Sequence, residues 1–249
     1  MFDTSYLVSL LFSAIAAIII LAVHEYSHAY AAYKLGDPTA RNLGRLTLNP
    51  LKHIDPLGAI CMIFLHIGWA KPVPINARNF KNPKRDFAIT ALAGPLSNLI
   101  MAFISAFVYL LSYALLRDVT FTNEFLFGLA SNTLNFIYIF HIVNVGIAIF
   151  NLLPVPPLDG SRLLTVILPP KMYFGIMKYE RTIYYVLLGW LILGGALSSF
   201  LLSQEIVAAN PVLSTVAYYI SLSNILGVII DAVSSLMFKL FMLIPFLKY

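Results

Sequence analysis

Residues 5–33 have the sequence SYLVSLLFSAIAAIIILAVHEYSHAYAAY and set the architecture of the chain. They form a nearly unbroken apolar run that ends among polar residues. About 20 apolar residues in an α-helix cross the roughly 30 Å hydrocarbon core of a bilayer. The run therefore predicts a transmembrane helix. It is too long, and too continuous with its polar end, to be a cleaved signal peptide.

The remainder of the chain has the same apolar character. Of its 249 residues, 60% are hydrophobic and 11% are charged, and the mean hydropathy is +0.85, whereas about 25% of the residues in soluble domains are charged. We therefore expect an all-α polytopic membrane protein with about five transmembrane helices. No polar stretch is long enough to fold as a separate soluble unit. The four further apolar runs lie at about 87–116, 132–153, 183–203 and 212–231.

The connection between the first two runs, 37–86, contains a shorter apolar stretch, Leu57–Ile67, which cannot span a bilayer. Its length and its β-branched and aromatic neighbours favour a re-entrant or interfacial element, with β-strands as one option, over a sixth helix. Such backbone is stable at membrane depth only where protein or a watery cavity satisfies it. The connection therefore indicates a hydrated pocket, and an ordinary interfacial loop is the alternative.

Lysine and arginine are unevenly distributed among the connections. Of the sixteen, nine lie in 34–85, four in 162–181 and two after residue 238, and only Arg117 falls in the alternate set of loops. Because loops rich in these residues stay in the cytoplasm, we predict a multi-pass protein of the cell membrane with its N-terminus outside and its C-terminus inside. Membrane topology thus accounts for the net charge of +5, and we expect no binding of nucleic acid.

The last segment, 212–249, is longer than one span requires. If its helix starts after Pro211, Asp231 lies about 20 residues further on, at the cytoplasmic interface. The residues after Asp231 then lie along the membrane surface as an amphipathic piece.

The first helix ends in the motif His24-Glu25-Tyr26-Ser27-His28. Two histidines at positions i and i+4 lie on one helix face and can bind one metal ion, with Glu25 beside it. All three titratable residues interrupt an apolar run, where such groups are costly and usually functional. His24 lies roughly 29 Å along the helix at 1.5 Å per residue, close to the cytoplasmic face. The alternative is that both histidines are interfacial groups that extend toward water.

A catalytic zinc site has three protein ligands and an open position. The single cysteine, Cys61, cannot build a thiolate site and is expected to be a small buried hydrophobic residue, so the ligands must be histidine and carboxylate. Asp159 is the obvious third ligand, because the third helix runs toward the membrane face of the two histidines. Three prolines before Asp159 break that helix, and the unwound backbone can pair with an extended substrate. A proline-capped helix end, with Asp159 capping the next turn, is the alternative.

Five motifs over roughly residues 15–165 give the chain a family resemblance. With them, it resembles the site-2 protease family of intramembrane zinc metalloproteases, in the compact form without a PDZ or CBS domain. The motifs are His24–His28 (HEYSH), Gly44–Pro50 (GRLTLNP) with His53–Gly58 (HIDPLG), Lys71–Asn76 (KPVPIN), Ala93–Asn98 (AGPLSN) and Asn151–Gly160 (NLLPVPPLDG).

The resemblance implies a function and roles for single residues. The substrates would be transmembrane helices of membrane proteins, locally unwound within the bilayer and cleaved near the cytoplasmic face. The chain would form one metalloprotease domain, 1–249, with a catalytic core at about 5–165 and peripheral helices at about 183–249. Whether it forms homo-oligomers stays open. His24, His28 and Asp159 would ligate Zn2+, Glu25 would act as the general base, and Asn151 and Pro157 would face the substrate.

Some features of the sequence are also compatible with other functions and roles. A proteolytically silent scaffold that binds transmembrane helices is one alternative, but the intact motif with Asp159 argues against it. A metal or solute transporter would need polar residues along a whole path, whereas here they gather at one depth. Asn151 has helix capping or interhelical hydrogen bonding as its alternative role. We expect His53 to be a turn residue rather than a ligand, and the lone His66 and His141 to be packing residues.

Overall fold

The computed structural model describes residues 4–56, 58 and 69–247. Within these residues, five helices are long and apolar enough to cross a membrane, which confirms the predicted all-α polytopic architecture. These five are α1, α3, α4, α7 and α10 of the following series. In chain order the α-helices are α1 (Thr4–Lys34), α2 (Thr39–Asn42), α3 (Pro83–Leu116), α4 (Glu124–Leu152), α5 (Gly160–Ile167), α6 (Pro170–Met177), α7 (Glu180–Leu202), α8 (Glu205–Ala209), α9 (Pro211–Tyr219) and α10 (Leu222–Phe241).

Helices α1, α3 and α4 form the centre of the bundle. Their buried positions are mostly small, as at Ala16, Ala102, Ala106 and Ala148, which have no exposed surface. Small residues let helix backbones approach closely in a membrane, where dispersion contacts rather than water exclusion hold helices together. Larger apolar side chains lie on the outside, as a lipid environment requires.

The first four predicted spans correspond to helices of the structure, with α4 extended at its start. It begins at Glu124, eight residues before the predicted position, because the side chain of Asn123 accepts the N–H of Phe125 at 2.8 Å and caps the helix there. The last span differs more. Asn210 and Pro211 start a separate short helix, α9, and the membrane-spanning helix α10 begins only at Leu222.

The course of α9 and α10 bears on the predicted position of the C-terminus. The indole N–H of Trp190 donates to the carbonyl of Ile220 at 2.7 Å, so α9 ends partway along α7. From there α10 runs to the far end of α3, where Leu247 packs against Leu110 and Ala114. Because α1 is antiparallel to α3, the start of α1 lies at that same end. In the described residues, the start of α1 and the end of α10 thus lie at the same end of the bundle, whereas the sequence predicts termini on opposite faces of the membrane.

Asp231 also differs from its predicted place. It lies in the middle of α10 and is exposed on the surface of the helix bundle, instead of at the end of a span. Ile230, its neighbour, is directed toward Gly146 of α4.

The connection between α1 and α3 is described only in part. The predicted element Leu57–Ile67, together with Cys61 and His66, lies outside the described residues except for Gly58. On either side of it, Ile54 and Ala70 form an isolated antiparallel bridge, and the N–H of Lys71 donates to the carbonyl of His53 at 2.8 Å. The two flanks are thus held together, and the described part of the connection contains no longer strand.

Candidate metal centre

The side chains of His24, His28 and Asp159 meet at one point between α1 and the segment after α4. Nε2 of His24 lies 3.0 Å from Nε2 of His28, and Oδ2 of Asp159 lies 3.1 Å and 3.2 Å from these two nitrogens. Both histidines are buried, with 4% and 6% of their surface exposed. Three ligand atoms, from residues up to 135 positions apart in the chain, therefore form one compact donor set.

These separations fit a metal ion. Tetrahedral zinc with bonds of about 2.0–2.1 Å holds its ligand atoms about 3.3 Å apart, close to the three distances observed. Two imidazole nitrogens and one carboxylate oxygen also match the ligand types of catalytic zinc sites, which leave a fourth position open.

A hydrogen bond from α3 fixes the ring of His28. Nδ1 of His28 lies 2.7 Å from the carbonyl oxygen of Thr90. A carbonyl oxygen can only accept, so Nδ1 carries the proton and Nε2 keeps its lone pair directed toward Asp159. Outer hydrogen bonds of this kind orient metal-binding histidines and set their tautomer.

Gly94 of α3 faces the same two rings. A Cβ atom at this position would overlap Nε2 of His28 and would lie 2.7 Å from Cε1 of His24. The helix can therefore pass this close to the donor set only with glycine at position 94. Pro95 follows within the helix and has no N–H, which leaves one carbonyl of the preceding turn without its helical partner.

Asp159 reaches the histidines because the chain breaks sharply after α4. Helix α4 ends at Leu152, and Pro154, Pro156 and Pro157 prevent it from continuing. A Cβ atom at Gly160 would overlap the carbonyl oxygen of Leu152, so this turn also requires glycine.

Glu25 lies next to the donor set along α1 and is 8% exposed. Its Oε2 accepts the backbone N–H of Val73 at 2.9 Å. Val73 belongs to the predicted motif Lys71–Asn76, so the structure brings that motif to the carboxylate. The bond restrains Glu25 and leaves its second oxygen, Oε1, outside this contact.

The other predicted residues lie outside the donor set. The amide of Asn151 donates to the carbonyl of Ile147 within α4 at 3.1 Å, and Pro157 is exposed in the break after that helix. His53 is a turn residue, as predicted, and its Nε2 lies 2.8 Å from the carbonyl of Thr47. His141 is fully buried, with Nδ1 2.9 Å from the carbonyl of Ala102, which agrees with a packing role.

Sequence reasoning missed three contributions to the site: the carbonyl of Thr90, the N–H of Val73 and the missing side chain of Gly94. The first two are backbone groups, which any residue carries, so residue type gives no signal for them. The motif Ala93–Asn98 was recognised, but the sequence could not show that its glycine faces the two histidines.

Five apolar helices of membrane-spanning length, with two histidines and one aspartate converging between them, fit a membrane metalloprotease. Comparison with known proteins agrees with that class. The chain belongs to peptidase family M50, the family of site-2 proteases, whose model matches residues 12–194, well over half of the chain.

Individual relatives support the same assignment. The "Putative zinc metalloprotease YwhC" of Bacillus subtilis is 44% identical over 156 residues, which cover 63% of this chain and 68% of that protein. Proteins with the same description and the name Rip2 are 32% identical in Mycolicibacterium smegmatis and 28% identical in Mycobacterium tuberculosis. Both matches cover 61% of this chain and 55% of the relative. No solved structure matches the chain.

Proposed function

We propose that this chain is an intramembrane zinc metalloendopeptidase that cleaves transmembrane segments of other membrane proteins. In this proposal His24, His28 and Asp159 ligate zinc and Glu25 is the general base. The observation that carries it is the convergence of three ligand atoms within 4.8 Å of one another, beside a restrained glutamate. The zinc metalloprotease names of the relatives support the choice of metal.

The residues of the chain divide the chemistry among them. Zinc, when bound, supplies Lewis acidity that polarises a carbonyl and makes a water molecule acidic. Glu25 takes the proton of the attacking water and later delivers it to the leaving amine. The N–H of Val73 keeps one oxygen of Glu25 occupied, so the other oxygen is the one that moves the proton.

A transmembrane substrate has to unwind before it is cut, because every backbone group of an intact helix in lipid is already hydrogen-bonded within the helix. The break after α4 provides non-helical residues beside Asp159, of which Pro154 and Pro157 are exposed. We assign Asn151, which precedes this break, and Pro157, which lies within it, to substrate contact. Asn151 would exchange its present bond to Ile147 for one to the substrate backbone.

We infer the membrane orientation from where the basic residues lie along the bundle. Thirteen of the sixteen lysines and arginines lie in 34–85 and 162–181, at the end of the bundle that holds Asp159. Arg117 and Lys239 lie toward the other end. Because positively charged loops stay in the cytoplasm, we place the metal centre near the cytoplasmic face and both termini outside.

Zinc content of the purified protein tests the ligand assignment. We expect about one zinc per chain in the wild type and its loss in His24→Ala, His28→Ala and Asp159→Ala, since three ligands are needed for tight binding. His53→Gln is the matched control, because this histidine bonds Thr47 outside the donor set and should leave the zinc in place. Absence of zinc from folded wild-type protein, even after zinc is supplied, would refute the proposal.

Cleavage by Glu25→Gln tests the general base. The variant keeps the size of the side chain and should keep its zinc, but it cannot take a proton. We expect cleavage of a transmembrane peptide with helix-breaking residues at its centre to fall by roughly 10²–10⁴-fold. A zinc-loaded variant that cleaves this peptide like the wild type would favour a different base. Wild-type protein that binds the peptide without cutting it would point to the scaffold instead.

A further inference from the structure

A buried carboxylate lies directly after α1. Asp37 has no exposed surface, and its two oxygens accept from four donors: the N–H and hydroxyl of Thr39, the N–H of Asn76 at 2.7 Å and the side-chain amide of Asn79 at 2.7 Å. A buried carboxylate is stable only when it is satisfied in this way. Two of the four donors come from residues about 40 positions further along the chain, so Asp37 ties that later segment to the end of α1.

The segment held by Asp37 is Lys71–Asn76, and it is fixed at its other end as well. The guanidinium of Arg45, which is 9% exposed, donates to the carbonyl of Lys71 at 2.6 Å. Between these two anchors, Val73 packs against Ala29 of α1 and against Ala40. The segment therefore cannot slide along α1 unless one of its anchors gives way.

The sequence of the segment leaves a single backbone donor at its centre. Pro72 and Pro74 have no N–H, and a residue before proline is restricted to extended conformations. Both Lys71 and Val73 stand before a proline. The one N–H available between residues 72 and 74 is that of Val73, and it donates to Glu25 at 2.9 Å.

We propose that Asp37 is a positioning residue for the general base. It holds Asn76, and through the stiff segment before it the N–H of Val73, in the place where that N–H restrains Glu25. The inference rests on the proposed function, because it gives Glu25 the role assigned there. Asp37 touches neither the substrate nor the metal ligands in this arrangement, so its loss should change the rate of the chemical step and leave zinc binding intact.

Asp37→Asn tests this link. The amide group replaces an oxygen that accepts with a nitrogen that donates, and this nitrogen faces another donor. We expect kcat to fall by about 10- to 100-fold, the effect of a small misplacement of a catalytic group, with KM within twofold and one zinc per chain retained. Asp86→Asn is the matched control, because Asp86 is another buried carboxylate, which accepts the N–H of Asn82 at 2.9 Å and has no bond to the segment. It should keep the wild-type kcat.

A double-mutant cycle separates positioning from general damage to the fold. Val73→Pro removes the N–H and should lower kcat as Asp37→Asn does, whereas Val73→Ala keeps the N–H and should not. If Asp37 acts through this N–H, the double variant Asp37→Asn/Val73→Pro should be no slower than the slower single variant. Losses that multiply, or a wild-type kcat in Asp37→Asn, would overturn the inference. If Asp37→Asn does not fold, Asn79→Ala, which removes one donor to Asp37, takes its place in the cycle.

The same measurements distinguish failure of this inference from failure of the proposed function. If Glu25→Gln cleaves like the wild type, the general base is wrong and the role of Asp37 falls with it. If Glu25→Gln is inactive while Asp37→Asn is fully active, only the positioning role is refuted.

Discussion

Gly94 lies against the imidazole of His28 so closely that a Cβ atom on the glycine would overlap Nε2 of the ring. That nitrogen is the one left free by the bond from Nδ1 to the carbonyl of Thr90. One helix thus orients the ring through a backbone carbonyl and makes room for it by lacking a side chain one turn later. The geometry of the donor set therefore depends on α3 as well as on the histidines of α1.

Gly94→Ala should consequently lose zinc without losing the fold. Alanine favours a helix over glycine by about 1 kcal/mol, so α3 itself gains stability. The added methyl group, however, forces the rings of His28 and His24 away from Asp159. We expect zinc content to fall well below one per chain while the thermal unfolding of the metal-free protein stays near that of the wild type.

The control for this change is Gly189→Ala, in the middle of α7. A Cβ atom at Gly189 meets no atom within 4 Å, so this variant should keep its zinc and its activity. Normal zinc content in Gly94→Ala would show that the two rings can move aside together, and that the close approach is not needed for the donor set.

The two ends of the chain should be found on the same side of the membrane. A reporter fused after residue 247 and one inserted near Asp118 should both report the outside, because Leu247 packs beside Ala114 near the end of α3. A reporter inserted after Ile167 should report the cytoplasm. If the reporters after residues 247 and 167 lie on the same side of the membrane, the expected placement of the C-terminus is wrong.

The spans could be predicted from sequence because apolar length is a direct physical requirement of the bilayer. The donor set could be predicted in part for a similar reason, since two histidines at positions i and i+4 lie on the same face of any α-helix. The sequence does not predict the break between α9 and α10, because the residues at the break, Ile220 and Ser221, are neither glycine nor proline. The contact of Trp190 with the carbonyl of Ile220 is a tertiary feature that the local sequence does not indicate.

The surroundings of Glu25 show a different limit of sequence reasoning. The motif Lys71–Asn76 was recognised, but its distance from Glu25 in the sequence gave no sign that the two meet. Their contact depends on two tertiary anchors, Asp37 and Arg45. In the sequence, each of these looks like an ordinary charged residue of a loop. Pairings of this kind follow from the fold and not from local pattern.

Asp37 should stabilise the folded protein at neutral pH and lose this effect at acidic pH. Burial opposes its ionisation, yet hydrogen bonds from Thr39, Asn76 and Asn79 lower the pKa of the folded-state carboxyl below its usual value. A carboxyl whose folded pKa is lowered contributes stability above the unfolded pKa, about 3.9 for aspartate, and loses that contribution as pH falls through the folded value. The measurement is the unfolding of metal-free wild type and Asp37→Asn. The wild type should be the more stable at pH 7, with the difference shrinking below about pH 4; a difference that is the same at both pH values would contradict this.

Asp231 gives the sharpest prediction about the periphery. It is exposed in the middle of α10, where a charged aspartate costs roughly 3 kcal/mol of membrane insertion relative to leucine. In a translocon insertion assay of α10, Asp231→Leu should therefore raise the inserted fraction, and in lipid bilayers the full chain with this change should unfold at a higher temperature. Ser235→Leu, one turn further on the exposed face, is the matched control and should give a smaller gain. If Asp231→Leu improves insertion of the isolated helix but destabilises the full chain, Asp231 is held by a polar contact in the membrane, and its exposure to lipid is refuted.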